Sequence, residues 1–291
     1  VNKLLIILIL LLPDPARSEA YPITLAKGFI LTEARIEGQN VLLILDTGAP
    51  GLILNQKYYT TSQRQYNDPD QSTCDDCNGI NGQFTCQNYM VREWSWLGVT
   101  HKRTNALVAD LTFLEKYLNR EIHALVGLSE ISDAYTTIDL DQQLIMVQKE
   151  ISNSQESLFF RFRYVNHIPV VSCKVNGKKK SLGLDSGSEG NLLFESYDND
   201  QVIDAPEVLI VDAGNSPDIR HRVSMQLEVN EGDISYPYDF LVHLDPTGNY
   251  GSTYFDGILG QEFLRSYNLI IHPGKQKILL QPRNDGHLVI E

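Results

Sequence analysis

Two stretches of this chain are versions of one segment, and that duplication limits the possible folds more than any other feature. Residues 36–54 read IEGQNVLLILDTGAPGLIL, and residues 175–193 read VNGKKKSLGLDSGSEGNLL. They align without a gap at an offset of 139. Ile36 matches Val175, Gly38 matches Gly177, Leu45-Asp46 matches Leu184-Asp185, Gly48 matches Gly187 and Gly51 matches Gly190. Each copy reads as a strand, a glycine turn, a second strand ending in Asp-Thr/Ser-Gly, and a third apolar run at 52–54 or 192–194. Self-similarity at a fixed offset marks a repeated structural unit.

A second match follows each copy. Leu125-Val126-Gly127 and Ile258-Leu259-Gly260 share an apolar-apolar-Gly pattern, and each precedes a pair of strand-like runs, at 137–147 and 268–280. Between the halves, residues 149–157 (KEISNSQES) are polar and without apolar periodicity, as a linker is. Nearly all other elements are short apolar runs separated by turn residues, which predicts strands. Residues 111–119 are the best candidate for a helix. The expected fold is all-β: two homologous lobes, at residues 21–150 and 158–291, joined by a linker at 151–157. Of 291 residues, 42% are apolar and 21% charged, enough to fill two cores. A net charge of −13 argues against nucleic acid as a partner, because phosphate binding rests on a basic surface.

Residues 1–20 (VNKLLIILILLLPDPARSEA) place Lys3 before the apolar run 4–12, then Pro13, Pro15 and a small-residue pattern at Ser18 and Ala20. This is the pattern of a signal peptide cut after Ala20. The run is well short of the ~20 residues a span needs, so no stable membrane insertion is expected. A buried strand is the competing reading, but the leading charge and the two prolines oppose it. Export predicts a periplasmic or extracellular, oxidising compartment. Cys74, Cys77 and Cys86 cluster there, and Cys173 stands apart. The Cys74–Cys77 spacing fits half of a zinc site, but a full site needs further ligands that the nearby sequence lacks. A disulfide within this loop is preferred, with the pairing open.

An Asp at the end of an apolar strand and before Gly sits at a tight turn, with its carboxylate near the interior. Two such carboxylates brought together by lobe symmetry cannot both ionise, so they share a proton. One acts as a base on a water and the other as an acid on a carbonyl oxygen. The hydroxyls of Thr47 and Ser186 can hydrogen-bond across the lobe boundary, and Gly48 and Gly187 let backbone N–H groups approach the carboxylates. Read singly, each motif is an ordinary turn, expected by chance in about one chain of this length in fifty. Its duplication at equivalent positions favours catalysis. Asp212, in Ile210-Val211-Asp212-Ala213-Gly214, lacks the hydroxyl and a counterpart in the first half, and is rejected.

Through Leu45-Asp46-Thr47-Gly48-Ala49 and Leu184-Asp185-Ser186-Gly187-Ser188, with Leu125-Val126-Gly127 and Ile258-Leu259-Gly260, the chain resembles the aspartic proteases of the pepsin and retropepsin type. The tandem arrangement in an exported chain is similar to the bacterial retropepsin-like proteins. The resemblance implies two β-barrel-like lobes with the active site in the cleft between them, and a monomer acting on a peptide or protein. It implies catalytic Asp46 and Asp185 supported by Thr47, Gly48, Ser186 and Gly187, with no metal or organic cofactor. It also implies a substrate-covering flap, for which Gly79, Ile80, Asn81 and Gly82 are the candidates. Those residues fit a plain hairpin turn equally well, and no Tyr stands at the tip. The corresponding region of the second half, residues 214–220, reads as too irregular for a flap. The runner-up function is a noncatalytic module that holds a peptide or other ligand in the same cleft. The seven His residues are scattered, residues 178–180 (Lys-Lys-Lys) read as a solvated turn tip, and Trp94 and Trp96 read as core in preference to cleft wall.

Overall fold

The computed structural model describes residues 19–59, 77–78, 83–131, 133–151, 159–196, 206–211, 217–229, 234–243 and 254–283. The signal-peptide reading of residues 1–20 therefore lies almost wholly outside the described residues. Glu19 and Ala20 already belong to β1 (Glu19–Ala26), which leads into β2 (Phe29–Ile36) and β3 (Gln39–Leu45). β2 and β3 pair antiparallel about Glu37–Gly38, with Ile36 opposite Gln39. Both turn residues have positive φ, 50° and 86°, as a two-residue hairpin matched to strand twist requires.

The first half continues with β4 (Leu52–Asn55), the short β5 (Cys77–Asn78) and β6 (Gln83–Phe84), then β7 (Gln87–Trp96) and β8 (Val99–Ala109). α1 (Thr112–Leu118) lies inside the predicted 111–119, and β9 (Ala124–Val126) follows it. The Asp110 carboxylate accepts the Thr112 N–H at 2.9 Å at the start of α1, and Asn119 in the left-handed region ends it. β9 inserts between β3 and β4, parallel to the former and antiparallel to the latter. Pairing of β2 with β7 then closes a six-stranded barrel in the order β2-β3-β9-β4-β8-β7.

The first half ends with β10 (Tyr135–Asp139) and β11 (Leu144–Gln148). The second half opens with β12 (Phe160–Arg161) and β13 (Arg163–Val165), and then repeats the barrel. β14 (Ile168–Val175) and β15 (Lys178–Leu184) form the hairpin, β16 (Asn191–Ser196) follows, and β17 (Glu207–Val211), β18 (Pro217–Val229) and β19 (Ile234–His243) complete the wall. β20 (Gly257–Leu259) inserts between β15 and β16, and β14 pairs with β18 to close the ring. Two local readings need correction here. The turn is Asn176–Gly177, whose φ values of 47° and 76° close the hairpin, so Lys178 already pairs with Val175 and residues 178–180 open β15. Pro217–Arg220 is likewise a regular part of β18, paired with β17 along its length.

The last elements among the described residues are α2 (Gln261–Leu264), β21 (Tyr267–His272) and β22 (Lys277–Pro282). A sheet in the order β12-β22-β21-β10-β11-β1 draws three strands from each half. The halves meet where Thr137 pairs with Ile270 and Ile138 with Leu269. The main apolar core runs through both barrels and this sheet. Leu43, Leu45 and Leu54 in one lobe and Leu182 and Leu193 in the other are fully buried, and each such side chain contributes about 1.5–3 kcal/mol. Trp94 and Trp96 are core: both rings are buried, and their N–H groups donate to Thr104 and Thr32. Among the described residues, no helix is long and apolar enough to cross a membrane.

Candidate active site

Each half delivers one Asp to the same place by the same local construction. β3 ends at Leu45, and the Asp46 N–H donates to Val126 O at 3.0 Å; β15 ends at Leu184, and the Asp185 N–H donates to Leu259 O at 3.0 Å. The chain then turns back on itself, with Ala49 N–H to Asp46 O at 3.1 Å and Ser188 N–H to Asp185 O at 3.2 Å. The apolar-apolar-Gly element supports each turn from beneath. A Cβ on Gly127 would collide with the backbone of Ala49 and Gly51, and one on Gly260 with that of Ser188 and Gly190. Close backbone approach therefore explains both glycines.

Thr47 and Ser186 interlock the turns across the lobe boundary. The Thr47 N–H donates to Ser186 Oγ at 2.9 Å, and the Ser186 N–H donates to Thr47 Oγ1 at 2.9 Å. Each hydroxyl then donates onward, Thr47 to Leu184 O and Ser186 to Leu45 O, both at 2.8 Å. All four groups are buried, so every donor is used where water is excluded.

The interlock holds the carboxylates together, and the Asp46 and Asp185 side chains hydrogen-bond to one another. Gly48 N–H donates to Asp46 at 2.9 Å and Gly187 N–H to Asp185 at 2.8 Å. The environments of the two acids are unequal. Asp185 is 4% exposed, whereas Asp46 is only partly buried. Burial raises the Asp46 carboxyl above its ordinary range, against hydrogen bonds from Asp185 and from the N–H groups of Gly48, Ala49 and Gly187. Burial raises Asp185 well above that range, and the charge and hydrogen bond of Asp46 add to it. Two acids this close titrate as a pair, the charge on one opposing ionisation of the other.

The candidate flap is only bracketed by the structure. Gly79, Ile80, Asn81 and Gly82 lie outside the described residues, as do Cys74 and Asp212. On either side of residues 79–82, β5 pairs with β6, with Cys77 opposite Phe84, and Cys77 is joined to Cys86 by a disulfide. Cys173 is a buried free thiol, pushed up to about 12 by burial. Among the described residues, no group of three or more His, Cys, Asp or Glu is arranged to hold a metal ion.

Several residues around the dyad escape sequence reasoning. Gln261, 3% exposed, donates its side-chain N–H to Ser186 O at 2.7 Å. Asn191 bridges Gly260 N–H and Asp239 O. Tyr117 on α1 donates to Glu189 at 2.9 Å, from one lobe to the other. Each is a single polar residue in an unremarked stretch. Gly260 aligns with Gly127 and places Gln261 opposite Leu128, but the copies differ at so many positions that this difference carries no signal by itself.

Comparison with known proteins agrees with this geometry over the first half. Residues 32–129 match a family model described as aspartyl protease, a stretch that runs from β2 through the Asp46 turn to Gly127. The match makes the chain similar to that family over about a third of its length, a stretch that holds Asp46 but not Asp185. A search of curated proteins finds no match. Among solved structures, the chain is similar to the crystal structure of Basic 7S globulin from soybean, at 11% identity and a TM-score of 0.48, over 92% of this chain and 95% of that one.

Proposed function

We propose that the chain is an exported, single-chain aspartic endopeptidase of the retropepsin-like type, in which Asp46 and Asp185 activate one water against a peptide bond. The observation that carries this reading is the contact between the two carboxylates, one from each half, braced by reciprocal Thr47–Ser186 hydrogen bonds. In the singly protonated pair, the ionised carboxylate takes a proton from water while the water oxygen bonds to the substrate carbonyl carbon. The other carboxyl gives its proton to the carbonyl oxygen, leaving a neutral gem-diol. Collapse reverses the flow: the first acid protonates the departing nitrogen, the second recovers a proton from a diol hydroxyl, and the C–N bond breaks. The lower exposure of Asp185 favours it as the initial acid and Asp46 as the base. Gly79, Ile80, Asn81 and Gly82, which the resemblance makes the substrate cover, lie in sequence between the paired strands β5 and β6 that the Cys77–Cys86 bond ties down. Export rests on the leader pattern and accords with that disulfide.

The test is hydrolysis of a fluorogenic peptide panel between about pH 3 and 7 by the wild type, Asp46→Asn and Asp185→Asn. Each substitution is expected to lower kcat by at least about a thousandfold, because one carboxylate cannot serve as both acid and base. Near-UV circular dichroism should stay unchanged. Full activity in either variant removes the mechanism. A folded wild type that binds peptides without cutting any of them leaves the noncatalytic binding module.

A further inference from the structure

The duplicated turns are braced by different side chains, and the buried one is Gln261. Gln261 opens α2 and grips the Asp185 turn twice: its backbone N–H donates to Ser188 O at 2.8 Å and its side-chain N–H to Ser186 O at 2.7 Å. Ser186 is the residue whose N–H and hydroxyl form the interlock with the first lobe. On its other side, Gln261 meets the Lys27–Gly28 turn of the first lobe, where a Cβ on Gly28 would stand 3.5 Å from Gln261 Cβ. The first half has Leu128 at the matching position, apolar and buried, lining a small apolar cavity beneath Thr47. Leu128 has no donor to offer. In the first half a different side chain holds a different carbonyl, Ser129 Oγ donating to Pro50 O at 3.2 Å in an exposed position, whereas Gln261 holds the buried Ser186 O.

We propose that Gln261 is a positioning residue that holds the Asp185 carboxyl against Asp46. The inference rests on the protease reading only for its effect on rate; its effect on the dyad stands without it. The groups facing each carboxylate are the other carboxylate and the N–H groups of Gly48, Ala49, Gly187 and Ser188. The further acids nearby are Glu130, whose carboxylate lies 3.1 Å from a Cβ placed on Gly51, and Glu262, which pairs with Arg222. Loss of the Gln261 bond frees the Ser186 carbonyl, loosens the turn and lets the carboxylates separate. Their mutual repulsion then falls, so the two steps of the pair move closer together.

The experiment is a pH titration of 13C-labelled Asp carboxyls in the wild type, Gln261→Met and Gln261→Glu, with Asp46→Asn and Asp185→Asn assigning the signals. Met keeps the length without a donor. Glu keeps the shape and, when ionised, cannot donate to Ser186 O, so it serves if the Met variant fails to fold. The wild type should show two well-separated steps, and the variants a separation smaller by ~1 pH unit. In peptide hydrolysis, kcat should fall by about 10- to 100-fold with KM within about threefold, the signature of a misplaced catalytic group. Folded variants that titrate like the wild type overturn the proposal, even if their melting temperatures fall. A wild type with two separated steps that cleaves no peptide would instead defeat the protease reading and leave the role of Gln261 in the dyad standing.

Discussion

Gly187 lies directly against the carboxylate of Asp46: a Cβ built on it would stand 2.5 Å from Asp46 Cγ. The reciprocal relationship holds at Gly48, where a Cβ would stand 2.7 Å from Asp185 Cγ. The glycine that follows each acid thus makes room for the acid of the other half, and the dyad forms because neither glycine has a side chain. Neither position is described with positive φ, so the requirement is space and not backbone conformation.

Gly48→Ala and Gly187→Ala should each push the opposite carboxylate out of its hydrogen bond. The expected outcome is a loss of kcat of about 100-fold or more, as displacements of about 1 Å produce. The melting temperature should fall only modestly, since the methyl meets a side chain and not the packed backbone. Steady-state kinetics and calorimetry on each variant check this, and unchanged kcat would show that the carboxylates have room to spare.

The interlock should be cooperative. Thr47→Val removes a hydroxyl that both donates to Leu184 O and accepts from the Ser186 N–H, leaving two buried groups unpaired. Each buried unpaired group costs about 1–3 kcal/mol. Ser186→Ala makes the mirror-image loss at Leu45 O and the Thr47 N–H. Because the two hydroxyls serve one network, the double variant should be less destabilised than the sum of the single ones. Urea denaturation of the four proteins measures that coupling directly, and strict additivity would mean that the two hydroxyls act independently.

Much of this architecture is visible in the sequence because it is set by local chemistry. Gly38 and Gly177 mark hairpins whose turns need positive φ, and the apolar strands that end at Asp46 and Asp185 form the same pairings in both lobes. Other features are non-local. The runs 137–147 and 268–280 are legible as strands, but nothing in either indicates that Thr137 pairs with Ile270 and joins the lobes. The lysines at 178–180 were misplaced by two residues because their charge suggests a tip, while Asn176 and Gly177 supply the bend. Gln261 is invisible for a different reason: a single buried amide has no periodicity, and its meaning lies in the Ser186 carbonyl that folding brings to it.

The cysteines should differ in reactivity. Cys173 is buried and its thiol is pushed up to about 12, so very little thiolate forms at neutral pH, and the thiolate is the reactive species. Alkylation of the native, unreduced protein followed by peptide mapping should leave Cys173 unmodified, and unfolding in denaturant should expose it. Cys77 and Cys86 should take up label only after reduction. By loop-closure entropy, opening their short loop should cost about 2–3 kcal/mol, read as a lower denaturation midpoint of the reduced protein. Rapid labelling of native Cys173 would contradict its burial.

Stability should depend on pH through the dyad. Both carboxyls are raised in the folded state by burial, Asp185 the more strongly, so over the interval between the unfolded and folded values the native protein binds more protons than the unfolded chain. Stability then falls as pH rises, beginning near the ordinary carboxylate value of about 4 and continuing through the raised titration of the pair. The sign is opposite to that of a salt-bridged carboxylate, which loses stability on acidification. Asp185→Asn removes the second ionisation, so its melting temperature should vary less with pH above about 4 than that of the wild type. The two curves should lie closest at acidic pH, where the pair is protonated, and diverge in favour of the variant towards neutrality. Calorimetric scans of both proteins from about pH 4 to 8 provide the measurement, and parallel curves would mean that the two carboxylates ionise without opposing one another.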